Sequence, residues 1–532
     1  MTLTPTLVTG TLRLARLHVR THHKSLLLWA IVMSGVVVAV ARSITALYPT
    51  TQDRIAYATT ASVSSGAVAF NGRWSDLTTL GGITTNEVGF MGLLLFPTVA
   101  TLLAIRLTRG EEDAGRTELL TARRVGRLAP LLAAVLVVAL DLVLFGFLAA
   151  AGTVAVGLPL GGSIRYAVSL VLFALAFAGL GLLAAEVSRE ARTATGLGIG
   201  IVLGLFLVRA VIDGADWSAS WVTPSGWLPQ VRAFASEGSR WWPYAAYVVT
   251  FAVMLGAAGA VTLRRDLYGG VVAARPGRAR ARAWCTRPVG MAWRLTRGAF
   301  LGWLLALVVW GGSLGALAKE MTEAISASPQ LLELYGVDRP EDFIAAMSLA
   351  LAAIGASALL LHGVGRLAGE EDSGRLGLLA SGRYARWRLW GAWVVVLGLE
   401  ALVVLAAQGA ALGAATAWAT GRSGNLDSSL EGAAVTMPAV LLVGAVALAV
   451  RAVMPPVAPA AWALVGWVAV VGFLADALDL PTWARRLSPV DAVGRVPIED
   501  PRVGTLVAFS VAAGVLALVG AVAFARRDLR AG

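Results

Sequence analysis

The chain has 532 residues, of which 57% are hydrophobic and only 14% charged, with a formal charge of +12. Soluble domains carry about 25% charged residues, so a water-soluble globular protein is excluded. In a soluble chain the basic surplus would point to nucleic acid; here its meaning depends on where it falls.

Taken in chain order, the first 25 residues hold Arg13, Arg16, Arg20 and Lys24 ahead of an apolar run. That run is long for a signal-peptide core and lacks an A-x-A exit, so 1–25 reads as a basic amphipathic connecting segment before a retained first span. A membrane-crossing helix needs about 20 mostly apolar residues. Twelve runs qualify: 26–47, 88–105, 128–157, 167–187, 194–212, 243–263, 298–318, 344–364, 389–418, 434–453, 457–476 and 504–525. They are continuous, rich in Leu, Ala and Val, and longer than barrel strands. The predicted fold is therefore an all-α polytopic membrane protein with twelve transmembrane helices in two parallel six-helix repeats, 26–263 and 298–532. Residues 264–297 form a linker with nine arginines. With the N-terminus placed inside, most of the 44 Lys and Arg fall in inside segments, which predicts cytoplasmic N- and C-termini. Arginine outnumbers lysine 42 to 2, a bias associated with GC-rich bacterial genomes, so the expected location is a bacterial plasma membrane.

The two halves are duplicates. GEEDAGR at Gly110–Arg116 recurs as GEEDSGR at Gly369–Arg375, 259 positions later. RRDL recurs at Arg264 and Arg526, Thr223-Pro224 matches Ser488-Pro489, and RLAR at Arg13 matches RLTR at Arg294. Six spans per half is an even number, so both halves enter the membrane in the same direction, related by an axis along its normal. The linker is expected on the cytoplasmic side, near anionic headgroups or a partner subunit. Outer loops 213–242 and 477–503 carry Trp217, Trp221, Trp227, Trp241, Trp242 and Trp483. Tryptophan prefers the headgroup interface, so short interfacial helices are expected there, with substrate contact as the alternative.

Catalytic possibilities are few. A P-loop needs a lysine after a glycine-rich turn, and the two lysines, Lys24 and Lys319, have no such context. No nucleophile elbow or HExxH pattern occurs. His18 and His22 share a helix face, but no carboxylate or cysteine stands near them in sequence, so no metal site is expected. His362 reads as a packed or interfacial histidine, and Cys285 as an unreactive thiol. Asp141 and Glu400 lie well inside the third and ninth spans, again 259 apart. Carboxylates at such depth usually face a bundle interior or wet cavity. They either pack against a neighbouring helix or line a translocation path.

The GEED segments remain. Glu111, Glu112, Asp113, Gly115, Arg116 and Glu118 in one copy, and Glu370, Glu371, Asp372, Gly374 and Arg375 in the other, fall between the second and third spans of each half. Glu112 to Arg116 has the spacing of a favourable helical ion pair, and Leu119 and Leu120 would form an apolar ridge. A merely solvated loop needs no particular sequence, so near-identity between copies points to a docking surface. On that reading, charge reversal at Glu112 and Glu371 uncouples the machine without unfolding it.

At these residues the chain resembles the permease subunits of ABC-2 (type V) exporters, whose coupling helix occupies this position. Glu111, Gly115, Glu118, Leu119 and Leu120 match its pattern in one half, and Glu370, Gly374, Leu378 and Leu379 in the other. Arg116 and Arg375 stand where the family has threonine, the trailing proline is absent, and Gly377 replaces the second glutamate. The double-length plan is similar to the fused permeases of actinobacterial polyketide-antibiotic (tetronasin-like) exporters. The resemblance implies an exporter of amphipathic compounds, not itself an enzyme, with two copies of a separate ATPase that bind ATP and Mg. It implies no cofactor in this chain, and membrane lipid and an amphipathic small molecule as further partners. Nucleic acid is not among them. The alternative is a proton-driven multidrug carrier of the major facilitator type, whose acidic-glycine-arginine motif differs by having arginine where Ala114 and Ser373 stand.

Overall fold

The computed structural model describes residues 7–528 except 64, 122–124, 236–237, 266–268, 271–282, 320–321, 323–338, 383, 476–479 and 495. Among the described residues all regular structure is helical, and twelve helices are long and apolar enough to cross a membrane. We number these α1 (Thr11–Leu47), α2 (Leu80–Leu107), α3 (Ala129–Ala155), α4 (Leu160–Val187), α5 (Ala191–Gly214) and α6 (Trp242–Arg264) in the first half. The second half holds α7 (Pro288–Ala316), α8 (Pro340–Asp372), α9 (Arg386–Thr420), α10 (Gly424–Val453), α11 (Trp462–Leu474, whose span begins in the 3-10 turn Pro455–Ala461) and α12 (Val503–Arg526). Each of the twelve expected apolar runs falls on one of them.

The chain divides into two compact units, Met1–Pro276 and Gly277–Gly532. The division falls inside the arginine-rich linker, much of which lies outside the described residues. The basic segment before Leu26 is continuous with the first span: α1 runs unbroken from Thr11 to Leu47. Pro288 and Pro340 open α7 and α8 in their first turns, where a missing N–H costs nothing because that donor has no intrahelical partner. Thr79 caps α2, its hydroxyl accepting from the Gly82 N–H at 3.0 Å.

Both units pack alike. The first span lies along the third (α1 on α3, α7 on α9), the second along the fourth (α2 on α4, α8 on α10), and the fourth along the sixth (α4 on α6, α10 on α12). The second span is therefore central and the sixth peripheral: the most apolar stretch of α2 and of α8 is 67% buried, against 11% in α6 and 6% in α12. In lipid, helices associate through close packing more than through exclusion of water, which places small residues at their crossings. Gly311 and Gly315 on α7 do this against α9. A methyl group added at Gly315 would stand 2.4 Å from the Leu412 carbonyl oxygen. Gly315→Ala is expected to cost about 1–3 kcal/mol through forced separation of the helices, seen as a lower thermal-unfolding midpoint in detergent. Gly312→Ala, which meets nothing within 4 Å, is the matched control and should unfold as the wild type does.

The tryptophan-rich segments 213–242 and 477–503 contain the expected short helices. Thr223 caps Pro224–Gln230, accepting from the Gly226 N–H at 3.3 Å, and Ser488 stands at the same place before Pro489–Ala492. Trp217, Trp221, Trp241 and Trp483 are exposed, as interfacial anchors should be. Most of the loop 319–343 lies outside the described residues.

Candidate functional site

The GEED copies adopt one backbone shape. In each, a glycine 259 residues from its counterpart, Gly115 or Gly374, has φ of 72°, a left-handed conformation that costs other L-residues about 1–2 kcal/mol. The glycine ends the helical turn that carries the acids and starts a second one, Arg116–Thr121 or Arg375–Ala380. The arginine after the kink folds back onto the first acid. Arg116 Nε and Nη2 donate to Glu111 Oε2 and Oε1 at 2.6 and 2.7 Å. Arg375 does the same to Glu370 at 2.7 and 2.8 Å. The sequence spacing favoured Glu112 as the partner of Arg116. The kink at Gly115 breaks the helical register that this spacing assumed, and Glu111 takes the arginine. Its hydrogen bonds to Glu111 hold Arg116 above its ordinary pKa.

The second acid turns inward. The Glu112 side chain is 4% exposed and takes both ends of Arg265, Nη1 to Oε1 at 2.9 Å and Nη2 to Oε2 at 2.8 Å. Arg109, wholly buried, approaches the same Glu112 at 3.0 Å. Arg265 also reaches Glu186 Oε2 at 2.5 Å. Burial would lower the Arg265 pKa, but the two carboxylates outweigh it and the group is held above its ordinary value. In the second unit Glu371 is equally buried and takes Arg527 at 2.6 and 2.7 Å and Arg451 at 3.0 Å. Arg451 also reaches Asp372 at 3.1 Å. Arg265 and Arg527 are the second residues of the two RRDL copies, so folding joins the two duplicated landmarks of each half. Because Glu112 and Glu371 sit in these buried networks, their charge reversal is expected to weaken the fold as well as any docking, so it is no clean test of uncoupling.

The two networks are neutralised in opposite ways. The position 259 after Arg109 is Ala368, whose carbonyl accepts from Arg451 at 3.4 Å. The position 265 after Glu186 is Arg451 itself; 265 is also the offset that relates Thr223 to Ser488. In the first unit the extra arginine stands at the end of the second span and the acid at the end of the fourth. In the second unit the arginine stands at the end of the fourth span. Both networks join two guanidiniums to two carboxylates. Arg109, Glu186 and Arg451 were not legible as partners, because an isolated charge at a helix end carries no signal of what it meets.

The other candidates separate. Asp113 is exposed and accepts from the Ala191 N–H at 2.6 Å, satisfying one of the unpaired donors that open α5. Glu118 is exposed. The side chains of Leu119 and Leu120 lie outside what the structure describes; in the second copy Leu376 is buried and Leu378 is 76% exposed. Asp141 and Glu400 are both buried. Glu400 accepts a hydrogen bond from Thr296 on α7, and its Oε2 has no hydrogen-bond partner among the described residues. Each acid lies within its own unit, on the spanning helix that follows its GEED segment. His362 packs edge-on against Trp462 with ring centroids 6.3 Å apart. His22 Nε2 lies 3.1 Å from Glu111 Oε1, so the carboxylate that the sequence lacked beside His18 and His22 is supplied from 89 residues away.

The multidrug efflux system permease protein Rv1217c of Mycobacterium tuberculosis is 30% identical to this chain over 530 residues, which is 98% of this chain and 96% of that protein. The chain belongs to the Rv1217c family of multidrug efflux system permeases. The family description for the C-terminal domain of the Rv1217c permease matches residues 286–525. That range lies within the second compact unit and contains the GEEDSGR copy. The likeness to the Rv1217c permease extends over the first unit as well, so both GEED segments lie in the stretch of chain that it covers.

Proposed function

We propose that this chain is the transmembrane permease subunit of an ATP-driven exporter, moving amphipathic compounds such as drugs or antibiotics outward across a bacterial plasma membrane. Two copies of a separate ATPase, which bind ATP and Mg, dock on the GEED segments at the cytoplasmic face. The observation that carries this reading is the shared build of the two copies, a buried acid rooted in the bundle beside an exposed rim. The root is Glu112 or Glu371, gripped by the arginine just after the sixth span, Arg265 or Arg527. The rim carries Arg116 and Glu118, or Asp372, Arg375 and Leu378.

A push on the first rim reaches several helices at once. It acts on α2, which leads into it, on α6 through Arg265, on α4 through Arg109 and the Ala185 carbonyl at 2.8 Å, and on α5 through Asp113. Interfaces of packed helices are bistable more than elastic, so such a push favours switching a unit between two arrangements. The relative's name as a multidrug efflux permease supports the cargo class. Asp141 and Glu400 are the acids that polar or cationic parts of a cargo would meet. Loss of export in Asp141→Asn and Glu400→Gln for cationic cargo, with neutral cargo still carried, is the expected pattern.

The deciding experiment co-expresses the chain with a P-loop ATPase encoded beside it and follows ATP-driven dye export in inverted vesicles. Glu118→Lys combined with Leu378→Asp should cut export and ATPase stimulation at least tenfold and leave the thermal-unfolding midpoint unchanged. Export driven by a proton gradient without any ATPase would overturn the reading.

A further inference from the structure

We propose that His18, His22 and Glu111 form a binding site for one divalent transition-metal ion of the zinc class, at the root of the first GEED segment. His18 and His22 stand one turn apart on α1, with ring centroids 6.2 Å apart and planes 23° from parallel. Glu111 arrives from beyond the end of α2. One ligand atom from each of the three residues lies within 4.8 Å of the other two. Two imidazoles and a carboxylate make a donor set that zinc uses, with ligand bonds of about 2.0–2.2 Å, which sets ligands roughly 3.3 Å apart in a tetrahedron. The 3.1 Å between His22 Nε2 and Glu111 Oε1 already meets that spacing, and a rotamer adjustment of His18 closes the set. His18 and Glu111 are buried and line a cavity of about 370 Å³, with room for a water as the fourth ligand. The set has no sulfur donor and only one carboxylate beside its two imidazoles, which selects against copper(I) and against calcium or magnesium.

The site is confined to the first unit. The offset of 281 between RLAR and RLTR places Ala299 and Trp303 where His18 and His22 stand. Glu370 keeps its arginine clamp but has no imidazole counterpart. Glu111 is now held by Arg116, so a cation and the Arg116 guanidinium compete for one carboxylate, and binding frees Arg116.

The test uses the full chain in detergent, purified with a tag that contains no histidine. Cobalt(II), whose visible absorption reports tetrahedral nitrogen and oxygen ligation, serves as the probe, followed by its displacement with Zn²⁺. One ion per chain is expected. His18→Ala and His22→Ala should each weaken binding at least tenfold, and His23→Ala and His362→Ala should leave it unchanged. Arg116→Gln should tighten binding several-fold by removing the competing cation, a gain that a merely damaged fold does not give. Saturable binding that survives His22→Ala, or that Arg116→Gln does not strengthen, overturns the site. None of these readouts depends on export or on an ATPase, so failure here leaves the proposed function standing.

Discussion

Glu112→Gln and Glu371→Gln are each expected to destabilise the protein by about 3–5 kcal/mol, the cost of leaving a buried guanidinium without its counter-charge. The size follows from burial. Glu112 is the shared counter-charge of Arg109 and Arg265, at 3.0 and 2.8 Å. Removing its charge strands the wholly buried Arg109 first. Glu371 is likewise the shared acceptor of Arg451 and Arg527. Glu111→Gln and Glu370→Gln remove acids of the same motif one position earlier, yet the arginines they hold are more than half exposed. Water reaches those guanidiniums and they are not stranded when the acid is removed, so the loss is expected to approach the roughly 0–1 kcal/mol of surface pairs. Thermal unfolding in detergent, read beside yield in the membrane, should therefore fall sharply for Glu112 and Glu371 variants and little for Glu111 and Glu370. Equal unfolding midpoints across the four would show that the buried networks do not hold the segments.

The second large effect concerns the opposed arrangement of charge in the two networks. Arg451→Glu alone sets an acid beside Glu371 and Asp372, and Ala368→Arg alone adds a third guanidinium beside Arg451 and Arg527. Each should be strongly destabilising. Together they rewrite the second unit in the pattern of the first, with arginine ending the second span and glutamate ending the fourth. The double variant is expected to recover at least half of the summed loss, a coupling within the range of about 0.5–3 kcal/mol seen for contacting residues. Full additivity of the two losses would show that Arg109 with Glu186 is not the counterpart of Ala368 with Arg451.

Some of this was legible before any fold was known. Twelve long apolar runs can only be spanning helices, because backbone polar groups in lipid must be satisfied within the segment. The 259-residue echo of GEEDAGR in GEEDSGR located both candidate segments, and the structure puts a left-handed kink at Gly115 and Gly374. The spacing rule then failed at that same glycine. An i,i+4 pairing of Glu112 with Arg116 assumes a continuous helix, and a left-handed residue between them turns Arg116 to Glu111.

What the linear chain determined was class, span number and repeat, because periodicity, hydropathy and duplication are local properties that survive without neighbours. What only the tertiary structure decided was which acid faces in and which faces out. It also joined Glu112 to Arg265 across 153 residues and Glu371 to Arg527 across 156, and brought Glu111 to His22. Those partnerships form where the ends of the first, second, fourth and sixth spans converge, and convergence of helix ends is a property of packing that no stretch of sequence carries by itself.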